Sequence, residues 1–156
     1  MTEPFVLLVE DNLDDQELLL RAFRRNRIEH KVRVAHDGLE ACDILFEDTE
    51  GGTPILVLLD LNLPRMNGID VLRRIRQNER TSLLPVVVLS SSREQEDVVR
   101  SYSLGANSYV RKPVDFSEFL ETTRQLGQYW LQINQPPPEG EYAVLRKELV
   151  PAAEEE

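Results

Sequence analysis

The sequence predicts a doubly wound α/β domain with a five-stranded parallel sheet and helices on both faces. Short apolar runs alternate along the chain with longer segments whose apolar residues recur at helical spacing. Unbroken apolar runs are typical of strands buried on both faces, and successive strand–helix units favour a parallel sheet with right-handed crossovers. In such a sheet, ligands bind beyond the carboxyl ends of the strands, where the winding reverses.

Five segments are predicted to be strands because each is short, apolar and bounded by polar or turn-forming residues. They lie at residues 5–9, 32–35, 55–60, 85–90 and 108–110. The first, third and fourth of them lack the alternation of a half-exposed strand, which indicates burial on both faces.

The segments between the strands are predicted to be helices. They lie at about residues 14–25, 39–46, 68–78, 93–104 and 116–133. Asp14 and Glu17 resemble a reciprocal N-terminal cap of the first helix, and Gly105 suits the end of the fourth.

Composition excludes several classes of function. The chain has 156 residues and a formal net charge of −10, which argues against unaided binding to nucleic acid or to anionic membranes. No apolar run approaches the length that spans a bilayer. Cys42 is the only cysteine, so an internal disulfide is excluded. We expect Cys42 to be a core residue and the protein to be cytoplasmic.

The chain changes character near its end. We expect one domain over residues 1–134 and a largely flexible, Pro- and Glu-rich tail over 135–156. Within the tail, Tyr142, Leu145 and Leu149 form one small apolar stripe.

Three acidic residues follow two strands that are predicted to be neighbours. Glu10 and Asp11 follow the first strand, and Asp60 ends the third. Two carboxylates about 4 Å apart repel by about 4 kcal/mol at an effective dielectric near 20, so they take up protons or hold a cation. Hard oxygen ligands favour Mg²⁺. Alternatively, Glu10 and Asp11 only cap the first helix.

The other strand ends supply complementary groups. Ser90 ends the fourth strand, and Lys112 follows the fifth. A hydroxyl and an ammonium that face acids and Mg²⁺ form a pocket for a transferred phosphoryl group, with Asp60 as the nucleophile. Pro113 permits a cis peptide bond, which would re-aim Lys112.

Four sequence blocks in this order resemble the receiver domain of two-component response regulators. They are "VEDN" at 9–12, "LLDLNLPRMNG" at 58–68, "VVVLSSS" at 86–92 and "GANSYVRKP" at 105–113. The resemblance covers roughly residues 5–133 and implies the flavodoxin-like strand order 2-1-3-4-5.

The resemblance also implies a role for each site residue. Asp60 is the phosphate acceptor by this similarity. The other implied roles are Mg²⁺ binding by Glu10, Asp11, Asp60 and the backbone carbonyl of Asn62, switching by Ser90 and Tyr109, and phosphoryl binding by Lys112.

A narrower similarity links the chain to small regulators that serve phytochrome-type histidine kinases. It is carried by "CDILFEDTEGGTP", "SYSLGANSYVRKPVDFSEF" and "YWL". It implies a sensor histidine kinase as partner, no fused output domain, and a homodimer formed through the fifth strand, the fifth helix and C-terminal elements. Tyr129 and Trp130, near the end of the last helix, suit core packing, a dimer contact or a partner contact.

Three other functions fit the pattern less well. An electron carrier would place an FMN phosphate at the first strand–helix loop, which here is acidic. An Asp-nucleophile phosphatase needs a second acid at position 62, where Asn62 stands. A scaffold with a vestigial pocket remains the main alternative. We therefore predict a stand-alone phosphoacceptor switch that does not act as an enzyme on external substrates.

Overall fold

The computed structural model describes residues 3–138 and 142–150 and contains one five-stranded parallel sheet. The strands are β1 (Phe5–Val9), β2 (Lys31–Ala35), β3 (Leu56–Leu59), β4 (Val86–Ser90) and β5 (Ser108–Arg111). They pair in the order β2-β1-β3-β4-β5, and every pairing is parallel. The predicted fold class and strand order are confirmed.

Helices follow every strand. They are α1 (Leu13–Arg25), α2 (Gly38–Cys42), α3 (Gly68–Gln77), α4 (Gln95–Ser103), α5 (Phe116–Gly127) and α6 (Tyr142–Leu149). α2 continues as a π-helix over Asp43–Glu47, and α5 continues as one over Gln128–Ile133. No helix in the described ranges is long and apolar enough to cross a membrane.

The predicted cap of the first helix is wrong. Asn12 is the N-cap of α1, because its side-chain oxygen accepts a hydrogen bond from the backbone N–H of Asp15 at 3.0 Å. An Asn at this position satisfies one of the free N–H groups at the helix start. The helix therefore begins one residue earlier than predicted, and Asp14 and Glu17 do not form the reciprocal pair.

The sheet separates two apolar cores. In β1, Phe5, Leu7 and Val9 belong to the core on the α2 and α3 side, whereas Val6 and Leu8 belong to the core beneath α1 and α5. Because successive side chains of a strand point to opposite faces, burial on both faces explains the unbroken apolar runs. Cys42 is buried in the first core, as predicted.

Two parts of the chain after α5, residues 136–138 and α6, contact the rest of the structure. Pro136, Pro137 and Pro138 line a small cavity together with Pro54, Pro85 and neighbouring residues. Farther on, the guanidinium of Arg146 on α6 donates to the hydroxyl of Ser82 at 3.1 Å. Leu145 and Leu149 are both exposed on this helix.

Candidate phosphoacceptor site

Three acids gather at one edge of the sheet. The backbone N–H of Glu10 donates to the carbonyl of Ala35 on β2 at 2.9 Å, and that of Asp60 donates to the carbonyl of Val9 on β1 at 3.0 Å. These bonds extend the strand ladders past their ends and hold both acids at the carboxyl edge. Glu10 is 3% exposed and Asp60 is 7% exposed, whereas Asp11 is exposed to solvent.

The same three acids are arranged as a candidate metal site. One carboxylate oxygen each from Glu10, Asp11 and Asp60 lies within 4.8 Å of the others. Carboxylate oxygens alone, with one ligand open to water, fit Mg²⁺ better than a transition metal. The backbone N–H of Asn62 donates to Oδ1 of Asp60 at 3.2 Å, which places Asn62 beside the group. The predicted role of its carbonyl as a ligand stays a prediction.

Lys112 is the cation of the site. Its Nζ forms ion pairs with Glu10, with Oδ2 of Asp15 at 2.9 Å and with Oδ2 of Asp60 at 3.0 Å. The Lys112 backbone N–H donates to the carbonyl of Ser90 at 2.9 Å, so the end of β4 fixes the start of this side chain. The ammonium therefore bridges the ends of β1, β3 and β5.

The predicted cis bond before Pro113 is not found, because every peptide bond in the described part of the chain is trans. An X–Pro bond favours the trans form by about 0.5–1 kcal/mol. Lys112 already reaches its three carboxylate partners with a trans bond, so no re-aiming is needed.

Burial and charge shift the pKa of two groups in the site. Burial of the Glu10 carboxyl raises its pKa to about 7; the hydrogen bond from Lys112 acts against this, and the charge of Asp60 adds to it. Burial alone would lower the pKa of Lys112. Its hydrogen bonds to Glu10 and Asp15 and the charge of Asp60 outweigh burial and raise the pKa above its usual value. Lys112 is therefore a permanent cation at neutral pH, while Glu10 titrates there.

Sequence reasoning missed several residues that support the acids. The backbone N–H of Asn12 donates to Oε2 of Glu10 at 3.1 Å, and the buried amide of Gln16 donates to the Glu10 carbonyl at 2.6 Å. Asp15, the third carboxylate on Lys112, was also missed. The acid pair Asp14 and Asp15 suits any helix start, and only the N-cap position shows which of the two faces the site.

Gly68 is a structural requirement of the loop behind Asp60. A Cβ atom at Gly68 would lie 2.2 Å from the carbonyl oxygen of Asp60 and 2.7 Å from Cα of Leu61. The backbone N–H of Gly68 donates to the Leu61 carbonyl at 2.9 Å. The first residue of α3 thus packs directly against the backbone of the acceptor position.

The two predicted switch residues lie on neighbouring strands. Ser90 ends β4 and is fully buried, and its hydroxyl accepts a hydrogen bond from the N–H of Ser92 at 3.2 Å. Tyr109 on β5 is half-buried, and its hydroxyl donates to the Ser92 carbonyl at 3.1 Å. Both side chains therefore contact the same short segment after β4, with Ser92 as their shared neighbour.

This fold and this site define a class of protein, the receiver domains of response regulators. The family model described as "Response regulator receiver domain" matches residues 6–124, and the chain belongs to this family.

Two curated relatives match most of their own length. The chain is 41% identical over 138 residues to the probable methanogenesis regulatory protein FilR2 of Methanothrix harundinacea (strain 6Ac), covering 86% of this chain and 89% of the relative. It is 35% identical over 130 residues to the response regulator Rcp1 of Synechocystis sp. (strain ATCC 27184 / PCC 6803 / Kazusa), covering 81% and 88%.

Solved structures of response regulators show the same similarity, and the names of two of them include phytochrome or bacteriophytochrome. The phosphorylated cyanobacterial phytochrome response regulator RcpA superposes with a TM-score of 0.82 at 34% identity, covering 88% of this chain and 100% of that one. The Mn²⁺-bound form of Rcp1 superposes with a TM-score of 0.80 at 34% identity, covering 86% of this chain and 99% of that one. The bacteriophytochrome response regulator RtBRR superposes with a TM-score of 0.68 at 44% identity, covering 95% of this chain and 92% of that one.

Proposed function

We propose that this protein is a stand-alone response regulator that accepts a phosphoryl group from a sensor histidine kinase on Asp60. The single observation that carries the proposal is the position of Asp60. Its carboxylate is nearly buried, belongs to the three-acid group, and lies 3.0 Å from the ammonium of Lys112. A nucleophile and a phosphate-binding cation thus stand side by side in a site that suits a divalent metal.

The chemical step needs little from the chain beyond position and charge. An oxygen of the Asp60 carboxylate attacks the phosphorus of a phosphohistidine. The new O–P bond forms as the P–N bond breaks, and the imidazole nitrogen keeps the electron pair and takes up a proton. Lys112 donates to the phosphoryl oxygens as negative charge moves towards the site. The product is an acyl phosphate on Asp60 and a free histidine on the kinase.

We propose Mg²⁺ as the cofactor of this step, held by Glu10, Asp11 and Asp60, with the carbonyl of Asn62 as a further ligand. The donor set fits, because Mg²⁺ is bound in proteins by one or two carboxylates together with phosphate oxygens and water. When bound by these residues, Mg²⁺ would neutralise part of the negative charge that the acids and the phosphoryl group bring together. The Mn²⁺ in the solved structure of Rcp1 supports a divalent metal in this class of protein.

The proposed response is a population shift at the face formed by α4, β5 and α5, driven through Ser90 and Tyr109. In the described chain, Ser101 is the buried residue of α4, and its hydroxyl has no hydrogen-bond partner there. Val99 and Tyr102 on the same helix are exposed. α4 is therefore weakly packed, and a weakly packed helix shifts at a low cost in free energy. A shift from 1:99 to 99:1 needs about 5.5 kcal/mol of preference for one state.

We propose phytochrome-type kinases as the partners, because the similar proteins RcpA and RtBRR are named as phytochrome and bacteriophytochrome response regulators. We further propose a cytoplasmic homodimer formed through β5, α5 and C-terminal elements, without contact with nucleic acid or membrane. Tyr129 is 47% exposed beside a groove lined by residues of β5 and α5, and such an aromatic suits a protein contact. We propose residues 1–134 as the receiver domain and residues 135–156 as a Pro- and Glu-rich C-terminal tail.

Incubation with acetyl phosphate and Mg²⁺ is expected to add one phosphoryl group to the intact chain. The same incubation with EDTA is expected to leave it unmodified, since the acids then repel the incoming anion. Intact-mass spectrometry measures the adduct, and treatment with neutral hydroxylamine is expected to remove it, as it does an acyl phosphate. No mass increase, or an adduct that resists hydroxylamine, would contradict the proposed function.

Mg²⁺ affinity is expected to fall about tenfold per pH unit below about pH 7. The pKa of the Glu10 carboxyl is raised to about 7, so below that pH the metal has to displace one proton. Above pH 7 the carboxylate is free of that proton, and the affinity is expected to level off. Isothermal titration calorimetry in two buffers of different ionisation enthalpy measures both the affinity and the released proton. An affinity that stays constant between about pH 6 and pH 8 would contradict this assignment.

A further inference from the structure

Asp15 lies in the first turn of α1 with its side chain directed at the phosphoacceptor site. The N-cap bond from its N–H to Asn12 fixes the backbone of this turn. Its Oδ2 lies 2.9 Å from Nζ of Lys112, and the side chain is 33% exposed. Asp14, its neighbour in the same turn, is exposed.

The three carboxylates on Lys112 are not equivalent. Glu10 and Asp60 also belong to the three-acid group that can hold a metal, and among the described residues that group does not include Asp15. A metal that binds Glu10 and Asp60 would weaken their attraction for Lys112, because the same two carboxylates would then also neutralise the metal. Asp15 is the ion-pair partner of Lys112 that lies outside the three-acid group.

Lys112 needs such a partner for a physical reason. Its ammonium sits on a flexible four-carbon stem and makes no fixed fork, so its position depends on the groups that surround it. With Glu10 and Asp60 engaged elsewhere, the ammonium would otherwise be free to turn towards solvent. A charged hydrogen bond to Asp15 holds it at the rim of the site, beside Asp60.

We propose that Asp15 is a positioning residue that keeps the Lys112 ammonium beside Asp60 while Glu10 and Asp60 bind metal and Asp60 accepts the phosphoryl group. This inference rests on the proposed function. It adds that the metal-loaded site depends on an acid that is not itself a ligand. It also assigns different roles to the two neighbouring acids Asp14 and Asp15.

Asp15→Asn and Asp14→Asn are the matched pair that tests the proposal. Each variant removes one negative charge from the first turn of α1, so the effect on the helix dipole and on the net charge is the same. Only Asp15→Asn removes the partner of Lys112. The rate of labelling by acetyl phosphate is measured as a function of Mg²⁺ concentration, which separates the plateau rate from the apparent metal affinity.

The plateau rate of Asp15→Asn is expected to fall about tenfold, the scale of one charged hydrogen bond, and that of Asp14→Asn to change less than about twofold. Asp15→Glu, which keeps the carboxylate, is expected to regain most of the rate. Equal plateau rates for the two Asn variants would overturn the positioning role and leave the proposed function standing. Failure of the wild-type chain to become labelled would overturn both.

A second measurement reports on Lys112 without phosphoryl transfer. The chain has three lysines, and the other two, Lys31 and Lys147, are exposed. In protein labelled with ¹⁵N-lysine and saturated with Mg²⁺, we expect one slowly exchanging ammonium signal in the wild type and in Asp14→Asn. The signal is expected to disappear in Asp15→Asn. Its persistence in that variant would overturn the proposal.

Discussion

Replacement of Asp60 by asparagine is expected to abolish labelling by acetyl phosphate. An amide has no anionic oxygen to attack phosphorus, so the loss should be complete rather than partial. The substitution also removes one of the three acids that can hold the metal, and we expect weaker Mg²⁺ binding as well. Intact-mass spectrometry after incubation with acetyl phosphate and Mg²⁺ measures the first effect, and calorimetry measures the second.

Asp70→Asn is the control for charge. Asp70 lies in the first turn of α3, has a half-exposed side chain and pairs with Arg73 at 2.8 Å, so its replacement removes one negative charge ten residues beyond the acceptor. It is expected to be labelled at the wild-type rate. Labelling of Asp60→Asn to the extent of the wild type would show that another residue is the acceptor.

Replacement of Lys112 by methionine is expected to lower the free energy of unfolding by about 3 kcal/mol at about pH 8 in the absence of metal. Methionine keeps most of the apolar stem but leaves the buried carboxylates of Glu10 and Asp60 without their shared cation. Mg²⁺ supplies that charge, so it is expected to stabilise the variant by more than it stabilises the wild type. Urea unfolding with EDTA and with excess Mg²⁺ measures both effects.

The difference in unfolding free energy between the wild type and Lys112→Met is expected to shrink as the pH falls to about 5. In the folded wild type the pKa of the Glu10 carboxyl is about 7, whereas its ordinary value in an unfolded chain is 4.5. Between these two pH values, the folded state therefore holds a proton that the unfolded chain has released. A carboxyl whose folded pKa is raised stabilises the fold below 4.5, and this stability is lost as the pH rises through the folded pKa. Lys112 lowers the pKa of the Glu10 carboxyl, so its loss raises that pKa further, and the variant regains more stability than the wild type as the pH falls. Lys31→Met, at an exposed residue, is the control. A deficit that does not vary with pH would contradict the electrostatic explanation.

The fold was predictable because its strands are unbroken apolar runs. β1, β3 and β4 differ from their predicted limits by at most one residue at either end. The start of α1 was placed one residue late, since several acids near it suit a helix start equally well. The choice of N-cap depends on which side chain reaches a free N–H group, which is a matter of tertiary geometry.

The candidate site was predictable where it follows from the ends of strands. Glu10, Asp60 and Lys112 come together because parallel strands end at the same edge of a sheet. Asp15 and Gln16 could not be assigned in the same way, because their contacts depend on how the first turn of α1 is rotated. The isomer of the bond before Pro113, which is trans in the structure, could not be predicted either. A sequence alone does not decide between the two isomers of such a bond.

The close approach of Gly68 to the backbone of Asp60 has a consequence for engineering this protein. Any residue other than glycine at position 68 would push its Cβ atom against the backbone of Asp60 and Leu61. Side-chain libraries that include position 68 would therefore displace the backbone that carries the reactive carboxylate.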